Sequence, residues 1–126
     1  MSPHWVVDAS NVIGARPDGW WRDRAGAAQR LVTALDRFAE RTGEEVTVVL
    51  DAGDPPPAER VAVIVARRRG RDAADDEIIE LLAARGAAGT RVVTSDADLG
   101  RRARELGAEV EGAGAFRRRL EAVGAG

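Results

Sequence analysis

Six aspartates stand where side chains could do chemistry. Asp8 closes the apolar run Trp5-Val6-Val7, Asp51 closes Val46 to Leu50, and Asp96 follows Arg91 to Thr94. Asp98 comes two residues after Asp96, and Asp75 and Asp76 sit together behind a cluster of arginines. If the apolar runs are parallel strands, their carboxyl ends share one edge of a sheet, and ligands sit at that edge in open parallel sheets. The six carboxylates then converge. Like charges held within a few ångströms repel and raise one another's pKa; a divalent cation relieves the repulsion. All-oxygen ligands select a hard ion, so Mg2+ or Mn2+ is expected rather than zinc. One or two such ions can orient a water and stabilise phosphoryl oxygens during phosphodiester hydrolysis.

Helix capping competes with this reading for some of the acids. Asp72 with Asp75, and Ser95 with Asp98, have the three-residue spacing of N-cap pairs. Acids in a first helical turn also complement the helix dipole. Capping alone accounts for Asp75, Asp76, Asp96 and Asp98. It does not account for Asp8 or Asp51, because neither is expected to precede a helix directly; a turn-forming role is the bland alternative there. Asn11, three residues after Asp8, serves a turn or the site.

Two basic stretches could hold a polyanion. Arg16 to Arg24 interleaves arginine with Trp20 and Trp21, a composition suited to stacking on unpaired bases with guanidinium groups on phosphates. Its alternative is a loop turned by Pro17-Asp18-Gly19 with a tryptophan packed on the sheet; one buried Trp and one at the site is the expected compromise. Arg67, Arg68, Arg69 and Arg71 form the densest basic run and lead into the segment carrying Asp75. A positive loop beside an acidic nest suits a phosphodiester. Arg101, Arg102, Arg104 and Arg117 to Arg119 read as solvated helix faces, and His4 as structural.

The elements that must position these residues alternate. Strands are expected from Trp5 to Asp8, Val46 to Leu50, Val61 to Val65 (with a short helix as the alternative), Arg91 to Thr94 and Ala108 to Glu111. Gly14 to Asp23 reads as a loop. Helices are expected from Arg24 to Arg41, with Ala28, Leu31, Leu35 and Phe38 inward and Gly43 as terminator, and from Asp72 to Arg85, with Ile78, Ile79 and Leu82 inward. Two more carry Leu99, Ala103 and Leu106, then Phe116, Leu120 and Val123. Strands apolar on both faces, alternating with helices, predict an α/β three-layer sandwich around a mainly parallel sheet of four to five strands.

Composition bounds the rest. At 126 residues the chain is read as one domain, residues 1–126, with a tail at 124–126 expected to fray. It has no cysteine and one histidine, which excludes disulfide scaffolds, thiolate metal sites and cysteine catalysis. All 19 basic residues are arginine against 21 acids, net −2, so nucleic-acid binding must rest on a local patch. No run is long enough to span a membrane, and a cytoplasmic protein is expected.

Four segments together resemble a known family. Val6-Val7-Asp8-Ala9-Ser10-Asn11-Val12-Ile13-Gly14 resembles the opening of NYN domains, a bacterial branch of the PIN-like nucleases akin to the YacP family. Ala74-Asp75-Asp76-Glu77-Ile78 resembles their middle acidic motif. Thr94-Ser95-Asp96-Ala97-Asp98-Leu99 with Gly107-Ala108-Glu109-Val110 resembles the later signature, and Arg16 to Arg24 a loop of one subgroup. The resemblance implies a PIN-like fold and a Mg2+- or Mn2+-dependent endoribonuclease acting on RNA, expected single-stranded. It implies Asp8, Asp75 and Asp96 as metal ligands, with Asp76 as second choice for the middle acid. Asp98 would support Asp96, Ser95 and Asp51 would support the site, and Asn11 would bind the acids or the substrate. Attack by water needs no ribose 2′-hydroxyl, so a 5′-phosphate product is expected.

The alternative is a non-catalytic RNA-binding or adaptor module of the same fold. Other phosphate chemistries fit worse. A haloacid-dehalogenase-type site wants an aspartate where Ser10 stands, a topoisomerase-primase-type site wants a glutamate on the first strand, and no P-loop motif is present. The RNA cut, the number of metals and the oligomeric state, a homo-oligomer included, are not encoded in any pattern.

Overall fold

Runs of β-branched residues set the centre of the molecule. In the computed structural model, which describes residues 3–16 and 18–126, they form five strands: β1 (His4–Asp8), β2 (Val46–Leu50), β3 (Ala62–Val65), β4 (Thr90–Val93) and β5 (Glu109–Glu111). All pairings are parallel, in the order β3-β2-β1-β4-β5. Parallel neighbours need crossovers, supplied by α1 (Ala9–Gly14), α2 (Arg24–Thr42), α3 (Ala73–Arg85) and α4 (Ala97–Glu105), with α5 (Ala113–Ala122) after the last strand. The α/β sandwich expected from the strand pattern is the observed architecture.

Alternation along each strand divides the core in two. Trp5, Val7, Val48 and Leu50 join α1, α2 and α5 on one face. Val6, Val49 and Val92 join Ile78 and Leu82 of α3 and Leu99 and Ala103 of α4 on the other. Trp5 anchors the first layer, its ring 5.8 Å from Phe38 and 5.2 Å from Phe116. The chain moves outward from β1 in one direction through β2 and β3, then returns to β4 and β5 on the other side. The point of reversal therefore lies between the carboxyl ends of β1 and β4, the crevice where open α/β sheets bind ligands.

Several local expectations are corrected. A helix, α1, begins immediately after Asp8, ahead of the expected loop; its six residues are too few to show a helical period. Within the loop, Trp20–Arg22 forms a 3-10 turn. Pro17 of the expected turn lies outside the described residues; Gly19 there adopts φ 80°, a left-handed conformation that favours glycine. Leu106, expected inward, is 44% exposed because α4 ends at Glu105 and its apolar stripe with it. Val123, at the C-cap of α5, is half-buried and packs against the core as expected. The tail expected to fray is tied back: Ala125 is 2% exposed and its N–H donates to the Leu120 carbonyl at 2.8 Å. No helix among the described residues is long and apolar enough to cross a membrane.

One carboxylate fixes the long proline-bearing connection between β2 and β3. Asp36 of α2 accepts the backbone N–H groups of Glu59, Arg60 and Val61 at 3.0, 2.9 and 3.0 Å. Desolvation acts to raise the Asp36 carboxyl, but these bonds outweigh it and hold the group below its usual range. A depressed carboxyl stabilises the fold above its unfolded-state pKa, and the benefit is lost as pH falls through the folded value. Asp36→Ala should cost about 2 kcal/mol in urea unfolding at pH 7, and markedly less at about pH 3.

Candidate functional site

The reversal point of the sheet holds a buried acid. Asp8 is the last residue of β1 and only 3% exposed. It occupies the N-cap position of α1 without forming a capping hydrogen bond, so its carboxylate faces across to the β4 side instead. There Thr94 donates its hydroxyl to Asp8 Oδ2 at 3.0 Å, and Ser10 donates more loosely to Oδ1 at 3.4 Å. Burial drives the Asp8 carboxyl above its usual range, and the Asp96 charge adds to this; Thr94, Ser10 and the Asn11 amide pull the other way.

The turn after β4 is pinned at three places. Thr94 Oγ1 accepts the Asp96 N–H at 3.1 Å while donating to Asp8. Asn11 Oδ1 accepts the Ser95 N–H at 2.6 Å. Ser95 Oγ accepts the Ala113 N–H at 2.8 Å, tying the turn to the first residue of α5. These bonds set Asp96 near Asp8. Asp96 caps α4, its Oδ1 accepting the Leu99 N–H at 2.9 Å. The cap is therefore Asp96 and not the expected Ser95.

Asp75 completes the group from the opposite layer, in the first turn of α3. Its carboxyl is pushed up to about 6, by desolvation first, then by the charges of Asp8, Asp96 and Asp72, with Arg102 partly opposing. Asp72, expected to cap α3, holds the N-cap position but makes no capping bond. Asp76 turns aside to Arg102, 3.7 Å away. Asp8, Asp75 and Asp96 thus share one electrostatic environment. Sequence inspection passed over Thr94, Ser10, Asp72 and Arg102 as site residues. Thr94 and Ser10 carried a usable signal, since each is a hydroxyl beside a strand-end acid.

Other sequence candidates lie elsewhere. Asp98 pairs with Arg101 at 2.6 Å on the solvated side of α4. Asp51 is exposed in the bend after β2, with no hydrogen bond or ion pair among the described residues. In the basic loop, Arg67 pairs with Glu77 at 3.3 Å and also with Glu80, and Arg68 pairs with Glu80 at 3.2 Å. Half of the expected cationic loop is thereby neutralised by α3, leaving Arg69 and Arg71 exposed without ion pairs among the described residues. Neither tryptophan of the Arg/Trp loop is buried. Trp20 is half-buried and Trp21 is 54% exposed, packed edge to face with centroids 6.0 Å apart. Arg22 lies 5.8 Å over Trp21 and Arg24 5.7 Å over Trp20. Arg16 points toward α5, 3.7 Å from Glu121.

The donor set constrains what could bind at the acidic edge. Among the described residues no group of three or more acids, histidines or cysteines is placed to enclose a metal ion. Mg2+ keeps several of its waters and uses one or two carboxylates directly, so a cage is not required. Asp8, Asp75 and Asp96 supply oxygen only. The single histidine begins β1 at the far edge, bonded to Thr47 at 2.9 Å. A hydrated hard cation fits this set; zinc does not.

Comparison with known proteins agrees with the geometry. The family model described as the YacP-like NYN domain matches residues 5–125. Two solved structures of Rae1 (YacP) from Bacillus subtilis are similar. One, of a single-substitution mutant, is 28% identical with TM-score 0.82, covering 98% of this chain and 77% of that one. The other is 27% identical with TM-score 0.79, covering 95% and 74%. No curated protein matches the chain.

The crowding of Asp75 has a measurable consequence without any metal. An acid whose pKa is raised on folding favours the folded state below its unfolded-state value of 3.8, and that advantage is lost as pH rises to about 6. Asp75→Asn should therefore raise the melting temperature in chelator at pH 8 and leave it nearly unchanged at pH 4. A variant no more stable at pH 8 than at pH 4, relative to the parent, would contradict the crowding.

Proposed function

Because the chain belongs to the YacP-like NYN domain family, and so to a nuclease-like, RNA-related class, we propose that it is a metal-dependent endoribonuclease. The observation that carries this reading is the shared field of Asp8, Asp75 and Asp96 at the reversal point of the sheet. Carboxylates crowded there work against each other, and a cation would remove the conflict.

Asp8, Asp75 and Asp96 would hold Mg2+ or Mn2+. When bound, such an ion supplies positive charge to phosphoryl oxygens and acidifies a water. Thr94 and Ser10 fix the Asp8 carboxylate through their hydroxyls, so it meets its target already oriented. Asn11 serves indirectly, by holding the Ser95 amide and with it the turn that carries Asp96. Arg69 and Arg71, at the entrance to α3, are the loop cations left to meet phosphates. The exposed face of Trp21 offers a stacking surface for an unpaired base. Attack by water in line with the 3′-oxygen breaks the P–O3′ bond and leaves a 5′-phosphate.

A second reading draws on the incomplete cage: a non-catalytic RNA-binding module of the same fold. Calorimetric titration with Mn2+ separates the two, since the nuclease requires heat of binding that Asp8→Asn abolishes. In the decisive assay, single-stranded RNA incubated with Mn2+ should yield fragments with 5′-phosphates. Chelator should stop the reaction, and Asp96→Asn should slow it by about a hundredfold or more. Cleavage that persists in chelator would defeat the mechanism.

A further inference from the structure

Away from the acidic edge, a cavity of about 370 Å³ lies between α2 and α5. Four arginines line it: Arg16 after α1, Arg30 and Arg37 on α2, and Arg117 on α5. Only Asp18 and Glu121 oppose them there, and Glu121 is partnered by Arg16. Its apolar wall is formed by Leu31, Ala34 and Leu120. Arg30 and Arg37 are seven residues apart on one helix, two turns along the same face, and so about 10 Å apart in height. Neither makes an ion pair among the described residues. Arg117 is half-buried and oriented: its Nε donates to the Val12 carbonyl at 2.9 Å. Its two terminal nitrogens make no hydrogen bond among the described residues. Burial, then the neighbouring Arg16 charge, press the Arg117 guanidinium down, and Asp18 and Glu121 oppose this only in part.

Position connects this cavity to the site. Val12, the anchor of Arg117, is four residues along α1 from Asp8, about 6 Å of helix rise. The 3-10 turn bearing Trp20 and Trp21 lies in the chain between Asp18 and Ala27, two residues that line the cavity. A strand of RNA leaving the acidic edge along α1 would meet arginines and an apolar wall, and the turn bearing the exposed indole is joined in sequence to the same lining. Guanidinium forks match phosphate oxygens two at a time, and an apolar wall receives a base.

We propose that this cavity is a second nucleotide site, which takes one nucleotide of single-stranded RNA beyond the point where the acidic edge holds the chain. Its phosphate lies on Arg30, Arg37 and Arg117, and its base against Leu31 and Leu120. The proposal rests on RNA being the substrate. An acidic protein segment would satisfy the charge but has no use for the continuity with Asp8.

The test is fluorescence anisotropy of a labelled single-stranded oligoadenylate on the full chain carrying Asp96→Asn, in chelator. Adding Arg30→Gln and Arg37→Gln, two exposed residues outside the ion-pair network, should weaken binding about tenfold or more. The slope of log affinity against log salt should become shallower by about 1 to 2. Arg85→Gln, at the far end of α3, should change neither. Unchanged affinity in the double variant, or no RNA binding by the parent, would overturn the site. Displacement by adenosine monophosphate at concentrations as low as the oligonucleotide's would make the occupant a free nucleotide, and equal displacement by oligoglutamate a protein segment; either overturns the RNA assignment. Cleavage by the parent chain is scored separately: a silent nuclease whose double variant still loses RNA keeps this site, and an active one whose double variant binds normally loses it.

Discussion

The arrangement turns on one buried carboxylate. Asp8 sits where the sheet reverses direction, with almost no exposure, and an ionised group in that position is costly unless its oxygens are met. Thr94 meets it from the neighbouring strand's end, across 86 positions of sequence. The same hydroxyl receives the Asp96 amide, so a single oxygen fixes both the acid of β1 and the turn carrying the acid of β4. Asn11 and Ser95 extend this lattice to α5. Position at this edge is thus imposed by hydrogen bonds between neighbours, while charge at the edge is left unbalanced.

The imbalance is selective. Arginines are plentiful, yet most near the sheet's ends are engaged by glutamates: Arg67 and Arg68 by Glu77 and Glu80, Arg91 by Glu109, Arg119 by Glu111. Exposed pairs of this kind contribute little to stability. Their effect is to remove cations from circulation. Among the described residues Arg102 alone reaches toward the acidic group, and its contact is with Asp76 at 3.7 Å rather than with Asp75. Asp75 is left with a carboxyl near 6 because burial and the charges of Asp8, Asp96 and Asp72 outweigh the partial opposition of Arg102. A site kept short of internal counter-charge is consistent with the cation-binding role proposed for it.

Much of this was legible in the sequence, for physical reasons that differ by element. β1, β2 and β4 announce themselves because a strand buried on both faces must be apolar at every position. α2 shows its stripe because 19 residues give several turns of periodicity, and Gly43 marks its end with φ 72°. The strand-end acids follow from topology alone once the strands are parallel. α1 was invisible, since six residues with one deeply buried valine have no period. The fate of the basic loop was equally hidden: Arg67 meets acids 10 and 13 positions later, a spacing with no local meaning until the loop folds back on α3. Which carboxylates converge was also beyond pattern. Asp75 and Asp76 are adjacent, and a helix turns adjacent residues about 100° apart, so one faces the group and its neighbour faces Arg102.

The shortest helix explains how two opposite fields coexist so close together. Six residues cannot sustain a helix on their own propensity. α1 persists because Val12 is fully buried and because each end faces a charge of the favourable sign. Asp8 lies at its amino end, where backbone N–H groups are unsatisfied, and the Arg117 guanidinium bonds the Val12 carbonyl near its carboxyl end. The helix dipole is thereby aligned with the line from acid to base. An acidic edge and a basic cavity thus lie toward the two ends of one short helix whose dipole both of them complement.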